Sequence, residues 1–214
     1  MGIKLSDLYS EGNLTLIYGP AASGKTSLAF KIAYIEAARE NTVAYVSTEN
    51  ELFLDRPLKG GYHLKKILVI AVRDFAKQHF ILTRLINNLI EHYSLKLLIV
   101  DSVTGLMRVK EDFAKASSML KFELALLLKA SRKHRIPVIL TSQVRAILES
   151  DREDYEAAAK TILEYWCGNI IRLSIVNKSL REGIVERSIK SGNEGKRFLF
   201  EIVGEDIVKL RNLT

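Results

Sequence analysis

Cysteine is almost missing from this chain. Cys167 is the only one in 214 residues, which excludes a disulfide framework and a thiolate metal cluster and fits a reducing cytosol. Beside Trp166, its expected role is core filling. The four histidines, His63, His79, His92 and His134, have no metal-ligand spacing. There are three prolines and no Pro-, Gly- or Ser-rich tract, internal repeat or low-complexity segment. Nothing reads as a linker, so one domain spanning residues 1–214 is expected. No apolar run approaches a membrane span and no cleavable leader is visible, so no membrane partner is expected. The opening Met1-Gly2-Ile3-Lys4-Leu5-Ser6 fits the N-myristoylation pattern, but that pattern is short and common, and a core strand follows within a few residues.

What is present is an ordinary globular composition with a positive balance. Hydrophobic residues make up 48% and charged residues 27%, and the net charge of +7 permits contact with nucleic acid without establishing it. The excess is uneven. Between residues 141 and 170, Glu149, Asp151, Glu153, Asp154, Glu156 and Glu164 face only Arg145, Arg152 and Lys160.

One motif dominates. Gly19-Pro20-Ala21-Ala22-Ser23-Gly24-Lys25-Thr26 fits G-x-x-x-x-G-K-[ST], a loop that cradles phosphates. The apolar strand Leu14–Tyr18 runs into it, and a helical pattern beginning at Ser27 leaves it. Glycines let the backbone wrap an anion while free N–H groups at the helix start point at it. Lys25 can reach outer phosphates, and the Thr26 hydroxyl can ligate a bridging Mg²⁺. ATP and Mg²⁺ are therefore the expected ligands, with residues 19–27 as the binding loop.

Apolar runs at Leu14–Tyr18, Val43–Ser47, Ile67–Ala71, Leu97–Val100 and Val138–Thr141 alternate with helical patterns. The clearest helices are Phe75–His92, with Phe75, Leu82, Leu85, Ile86 and Leu89 on one face, and Phe113–Arg135. Such alternation predicts an α/β fold, a mostly parallel sheet with helices on both faces. After residue 169 the pattern changes to short strands at Ile170–Ile175, Ile184–Ile189, Phe198–Ile202 and Ile207–Leu210. Turns are expected at Lys178–Gly183, Ser191–Gly195 and Gly204–Asp206, giving antiparallel hairpins.

Three polar residues stand where a parallel α/β sheet places ligand groups, at the carboxyl ends of strands. Asp101 would hold the Mg²⁺ hydration shell, Glu49 would orient or deprotonate the attacking water, and Gln143 would sense the terminal phosphate. Singly, each also reads as a solvated acid, a turn cap or a polar strand end. Arg73 after the third strand and the tract Arg132-Lys133-His134-Arg135 carry weaker signals; the tract favours a helix C-terminus by opposing its dipole.

The ordered set of G-x-x-x-x-G-K-T, Y-V-x-T-E (Tyr45–Glu49), L-L-I-V-D-S (Leu97–Ser102) and T-x-Q-V (Thr141–Val144) resembles the ATPase core of RecA-family recombinases. Similarity is closer still to short archaeal recombinase paralogues of the RadB type, and it extends over nearly the whole chain. Lys133–Ile139, Glu164–Leu173, and Glu186-Arg187 with Phe198–Ile202 also carry it. The resemblance implies a RecA-like fold in which the Asp101 strand lies beside the Glu49 strand, and the Gln143 strand lies between Asp101 and the phosphate loop.

Full recombinases of this kind carry an N-terminal DNA-binding domain and an aromatic polymerisation motif, and Met1–Asn13 offer no room for either. The resemblance places DNA-facing loops near Thr104–Ala116 and Val144–Tyr165, with Arg108, Lys110 and Arg145 as candidate contacts. The second loop is the acid-rich one, and carboxylates there would weaken phosphate-driven affinity and make it salt-sensitive. Alternatively Asp151–Ala159 forms a helix, or docks on a basic partner. Three readings result. One is a recombinase paralogue that binds ATP, hydrolyses it slowly and assists a recombinase or its loading on single-stranded DNA in homologous recombination and repair. The second is a KaiC-like regulatory ATPase without a DNA partner. The third is an ATP-gated adaptor that does not hydrolyse.

Overall fold

The computed structural model describes residues 3–48, 63–109, 113–143, 153–203 and 206–213. Among them nine strands form one sheet. β1 (Leu14–Gly19), β2 (Val43–Ser47), β3 (Ile67–Ala71), β4 (Leu97–Asp101), β5 (Val138–Gln143) and β6 (Asn169–Ile175) are followed by β7 (Leu180–Arg187), β8 (Arg197–Val203) and β9 (Asp206–Leu213). Their spatial order is β3-β2-β4-β5-β1-β6-β7-β8-β9. From β3 to β6 every pairing is parallel. The last three strands are added antiparallel. The expected positions of the Glu49, Asp101 and Gln143 strands are therefore found, since β4 pairs with β2 and β5 lies between β4 and β1.

The central strands read as unbroken apolar runs because both faces are covered. Leu14, Leu16 and Tyr18 of β1 point into one core with Leu98, Val100 and Leu140. Ile17, between them, points into the other with Ile99 and Ile139. That is the period-two alternation of a pleated strand. The first core is covered by α2 (Phe75–Phe80), α3 (Ile86–Tyr93), α4 (Phe113–His134) and α5 (Glu153–Trp166). The second is covered by α1 (Lys25–Ala38), through Leu28 and Ile32, and by Phe198 and Phe200 of β8.

Two elements differ from expectation. The helix expected over Phe75–His92 is interrupted by a π turn, Ile81–Leu85. Its inward positions Gln78, Leu82, Ile86 and Ile90 recur every four residues rather than every 3.6. Leu85, expected inside, is accordingly 37% exposed. The Thr83 hydroxyl donates back to the His79 carbonyl at 2.6 Å within this stretch. In the C-terminal half, the turn expected at Lys178–Gly183 is mostly strand, because β7 starts at Leu180 and ends at Arg187 rather than running Ile184–Ile189. The inward residues of its first half are Arg181 and Gly183, so no apolar alternation announces it. Gly183 is required there, since a Cβ would lie 2.2 Å from the Phe198 ring.

The second loop also shortens. Most of the segment expected as loop over Val144–Tyr165 is α5, as the helical alternative allowed. Ala159, Ile162, Leu163 and Trp166 recur at i, i+3, i+4 and i+7 and pack toward the core. Around the first loop, the chain passes from a 3₁₀ turn at Leu106–Val109 toward α4 at Phe113. Cys167 is buried in the first core, as its core-filling role requires. Among the described residues no helix is long and apolar enough to cross a membrane.

Candidate nucleotide-binding site

The loop between β1 and α1 is shaped by close contacts from behind. A Cβ at Gly19 would lie 2.3 Å from the Leu173 carbonyl oxygen of β6, so only glycine lets the strand end pass there. Gly24, at the N-cap of α1, has φ 88°, in the left-handed region. It is also pressed by Phe200 and Ile202, whose side-chain carbons would lie 2.9 Å from a Cβ. From β7, Arg181 donates through Nε to the Ala22 carbonyl at 2.9 Å and through Nη1 to the Asn177 carbonyl at 2.8 Å. Ala22 holds φ 59° without being glycine. The antiparallel wing is thus the backing of the loop.

Inside the loop, the Lys25 ammonium donates to the carbonyls of Gly19 at 3.1 Å and Pro20 at 2.8 Å. The Ser23 hydroxyl is buried and meets no hydrogen-bond partner among the described residues. Thr26 and Ser27, in the first turn of α1, are half-buried, whereas Pro20, Ala21 and Ala22 are exposed. A buried ammonium, an orphaned hydroxyl and a helix start within one short loop suit an anion rich in acceptor oxygens.

Asp101, at the carboxyl end of β4, is 2% exposed and sits one strand away from that loop. Its Oδ1 accepts from the Thr26 hydroxyl at 3.3 Å and, over a short contact, from the Thr141 hydroxyl of β5. Its Oδ2 accepts from the Tyr45 hydroxyl of β2 at 2.5 Å. Three hydroxyls from three elements therefore fix one carboxylate against the first turn of α1. Hard oxygen donors, a threonine hydroxyl beside a carboxylate, are the ligand chemistry of Mg²⁺.

The neighbouring strand ends are tied to this carboxylate. Thr48 donates through its backbone to the Asp101 carbonyl at 2.8 Å, and its hydroxyl both donates to the Ser102 carbonyl and accepts from the Ser102 N–H. Thr104 and Ser142 hydroxyls lie 2.9 Å apart, linking the loop after Asp101 to the end of β5. Gln143 pairs in register with Gly19, at the mouth of the phosphate loop.

Lys25, Thr26, Asp101 and Gln143 are thus brought to one end of the sheet. Glu49, Lys110 and Arg145 lie outside the described residues, as does the side chain of Arg108. Sequence reading missed Tyr45, Thr141 and Arg181. The first two stand within the Y-V-x-T-E and T-x-Q-V motifs and could have been found as hydroxyls facing a neighbouring acid. Arg181 lies in what reads as a turn and gives no signal.

The chain matches, over residues 3–209, the family described as "ATPase: KaiC". The DNA repair and recombination protein RadB of Thermococcus sibiricus is 32% identical over 213 residues, 94% of this chain and 90% of that protein. The RadB of Methanocaldococcus jannaschii is 30% identical over 92% of this chain and 94% of its own length. The chain belongs to the RadB family. A crystal structure of the RadB recombinase superposes with a TM-score of 0.69 at 28% identity, covering 94% of this chain and 93% of that one. RadB relatives and this sheet order together establish a RecA-like ATPase core whose last strands are antiparallel. Family membership in RadB also gives the phosphate loop its context, a family of ATPases named for DNA repair and recombination.

Proposed function

We propose that this protein binds ATP with Mg²⁺ between the phosphate loop and Asp101, hydrolyses it slowly, and acts in the cytoplasm as an accessory of a recombinase in homologous recombination and repair. The observation that supports this most is the hydroxyl-held Asp101 carboxylate facing Thr26, beside the buried Lys25 and the unpartnered Ser23 hydroxyl. Lys25 would exchange its two loop carbonyls for outer phosphate oxygens. Thr26 and Asp101 would hold Mg²⁺, which when bound neutralises charge on the phosphates. Glu49 would position the attacking water, and Gln143, beside Gly19, would report the terminal phosphate to the segment that follows it.

A second reading, a regulatory ATPase without a DNA partner, is favoured by the family description and by the acid-rich stretch after Gln143. ATP turnover measured with and without single-stranded DNA and a cognate recombinase, at two salt concentrations, separates them. Stimulation by either supports the recombination role. Sustained turnover indifferent to both supports the second reading, and no ATP binding removes both.

A further inference from the structure

An exposed tyrosine and two arginines at the far edge of the sheet find no use in the nucleotide site. Tyr165 is 82% exposed at the last turn of α5. It stands edge-on to Trp166, with ring centroids 5.6 Å apart. These two rings, Arg132 from the last turn of α4 and Arg187 at the end of β7 line a pocket of about 490 Å³. Sites for small ligands span about 300–1,000 Å³, so a group the size of a nucleotide can enter. Asn13 and Gly168, which precede β1 and β6, also line the pocket and place it at the amino ends of those strands. The phosphate loop leaves the carboxyl end of β1, on the opposite edge.

The cations of the pocket are unmatched. None of the lining residues is acidic. Arg187 donates through Nη1 to the Cys167 carbonyl at 3.2 Å and to the Glu164 carbonyl. That contact orients the guanidinium and caps the end of α5, whose dipole would otherwise repel an anion. Its remaining nitrogens, and the whole Arg132 guanidinium, meet no partner among the described residues. Neighbouring cations differ, since Lys133 is held by Glu91 at 2.9 Å and Arg172 by Glu186 at 2.6 Å.

Unmatched guanidiniums call for an anion with several acceptor oxygens. The net charge of +7 favours any polyanion, so the ring decides among them. A carboxylate-rich peptide would satisfy the arginines and leave the open face of Tyr165 without a planar partner. Nucleic acid brings a phosphate and a base at every step. A duplex keeps its base faces stacked inside, so a single strand is the form that can offer one to an aromatic ring.

We propose that this pocket binds single-stranded nucleic acid, with a base stacked on Tyr165 and adjoining phosphates held by Arg132 and Arg187. Stacking tolerates any base, so the site reads strandedness rather than sequence. The contacts implied by the family resemblance, Arg108, Lys110 and Arg145, follow the carboxyl ends of β4 and β5, so this site is separate from them. It deepens the recombination reading, in which single-stranded DNA is a partner, and it needs no ATP.

Fluorescence titration of the purified full chain with oligothymidylate, without nucleotide, reads the pocket directly, because Trp166 is the only tryptophan. Saturable quenching is expected at low salt. With two phosphates neutralised, log affinity should fall against log salt with a slope of about −1.4. Tyr165→Ala should weaken binding at least about fivefold and leave that slope unchanged, and Tyr165→Phe should retain affinity. Arg132→Ala should make the slope shallower by about 0.7. Circular dichroism and ATP binding should match the wild type in all three variants, and a duplex of the same length should bind more weakly than the single strand. Absence of quenching at low salt, or equal binding of duplex and single strand, overturns the proposal. Polyglutamate bound as tightly as oligothymidylate also overturns it and assigns the pocket to an acidic protein. Oligothymidylate binding unchanged in Tyr165→Ala and Arg132→Ala overturns the pocket while leaving the recombination role standing. That role falls instead on ATP turnover indifferent to DNA and recombinase.

Discussion

The Arg181 guanidinium donates to the Ala22 carbonyl at 2.9 Å, which ties the C-terminal antiparallel wing to the phosphate loop. A charged hydrogen bond of this kind contributes about 1.5–3 kcal/mol. Arg181→Gln should therefore weaken ATP binding by about tenfold or more, and Arg181→Lys should recover part of it. Titration with a fluorescent ATP analogue checks this, with thermal melting run beside it. Equal ATP affinity in a folded Arg181→Gln variant would leave the contact a purely structural one.

The Tyr45 hydroxyl donates to the second carboxylate oxygen of Asp101 at 2.5 Å. Tyr45→Phe should leave affinity for ATP alone nearly unchanged while raising the Mg²⁺ concentration needed for half-maximal binding severalfold. Asp101→Asn should remove the Mg²⁺-dependent part of ATP affinity. The measurement is ATP binding across a Mg²⁺ titration.

Glu123 of α4 is fully buried, and burial raises its carboxyl from 4.5 to about 8. Gln78 donates to it at 3.1 Å, and His79 lies 3.0 Å away on its other oxygen, its own pKa lowered by burial and by nearby Arg84. Burial disfavours the charged form of both partners. With the folded value raised above the unfolded one, the protonated carboxyl contributes stability that is full below pH 4.5 and lost as pH rises toward about 8. The loss is on the order of a few kcal/mol. Lowered His79 acts oppositely, costing stability as pH falls through the ordinary histidine range. The difference between wild type and Glu123→Gln isolates the carboxyl: in denaturant melts at pH 5 to 8, the wild type should lose stability relative to Glu123→Gln as pH rises. Parallel curves would place the carboxyl in contact with water.

Burial pushes the Cys167 thiol up to about 12, and the side chain lies in the core. The thiolate is the reactive form. An aromatic disulfide reagent should label Cys167 no faster than the protein opens, with labelling following denaturant. Prompt labelling of the native protein would contradict the packing around Trp166.

Much of this was legible in the sequence, for identifiable physical reasons. Leu14–Tyr18, Val43–Ser47 and Leu97–Val100 are buried on both faces, so their apolar runs had no competing interpretation. Asp101 stood out as an acid closing such a run. The π turn at Ile81–Leu85 was not legible, because the chain there follows packing of Leu82 and Ile86 against the sheet rather than an α-helical period. Nor was β7, whose inward positions hold Arg181 and Gly183 for reasons that reside in Ala22 and Phe198, far away in the chain. The roles of Tyr45 and Thr141 were not legible either, because the carboxylate their hydroxyls meet belongs to a different strand.

The central claim is that ATP and Mg²⁺ meet between Lys25, Thr26 and Asp101. Isothermal titration of the purified chain with a non-hydrolysable ATP analogue, with Mg²⁺ and with chelator, tests it most directly. The account expects one site whose affinity drops on chelation and vanishes in Lys25→Ala, with the Lys25→Ala protein still folded. Equal binding by wild type and Lys25→Ala, or binding indifferent to Mg²⁺, would contradict it.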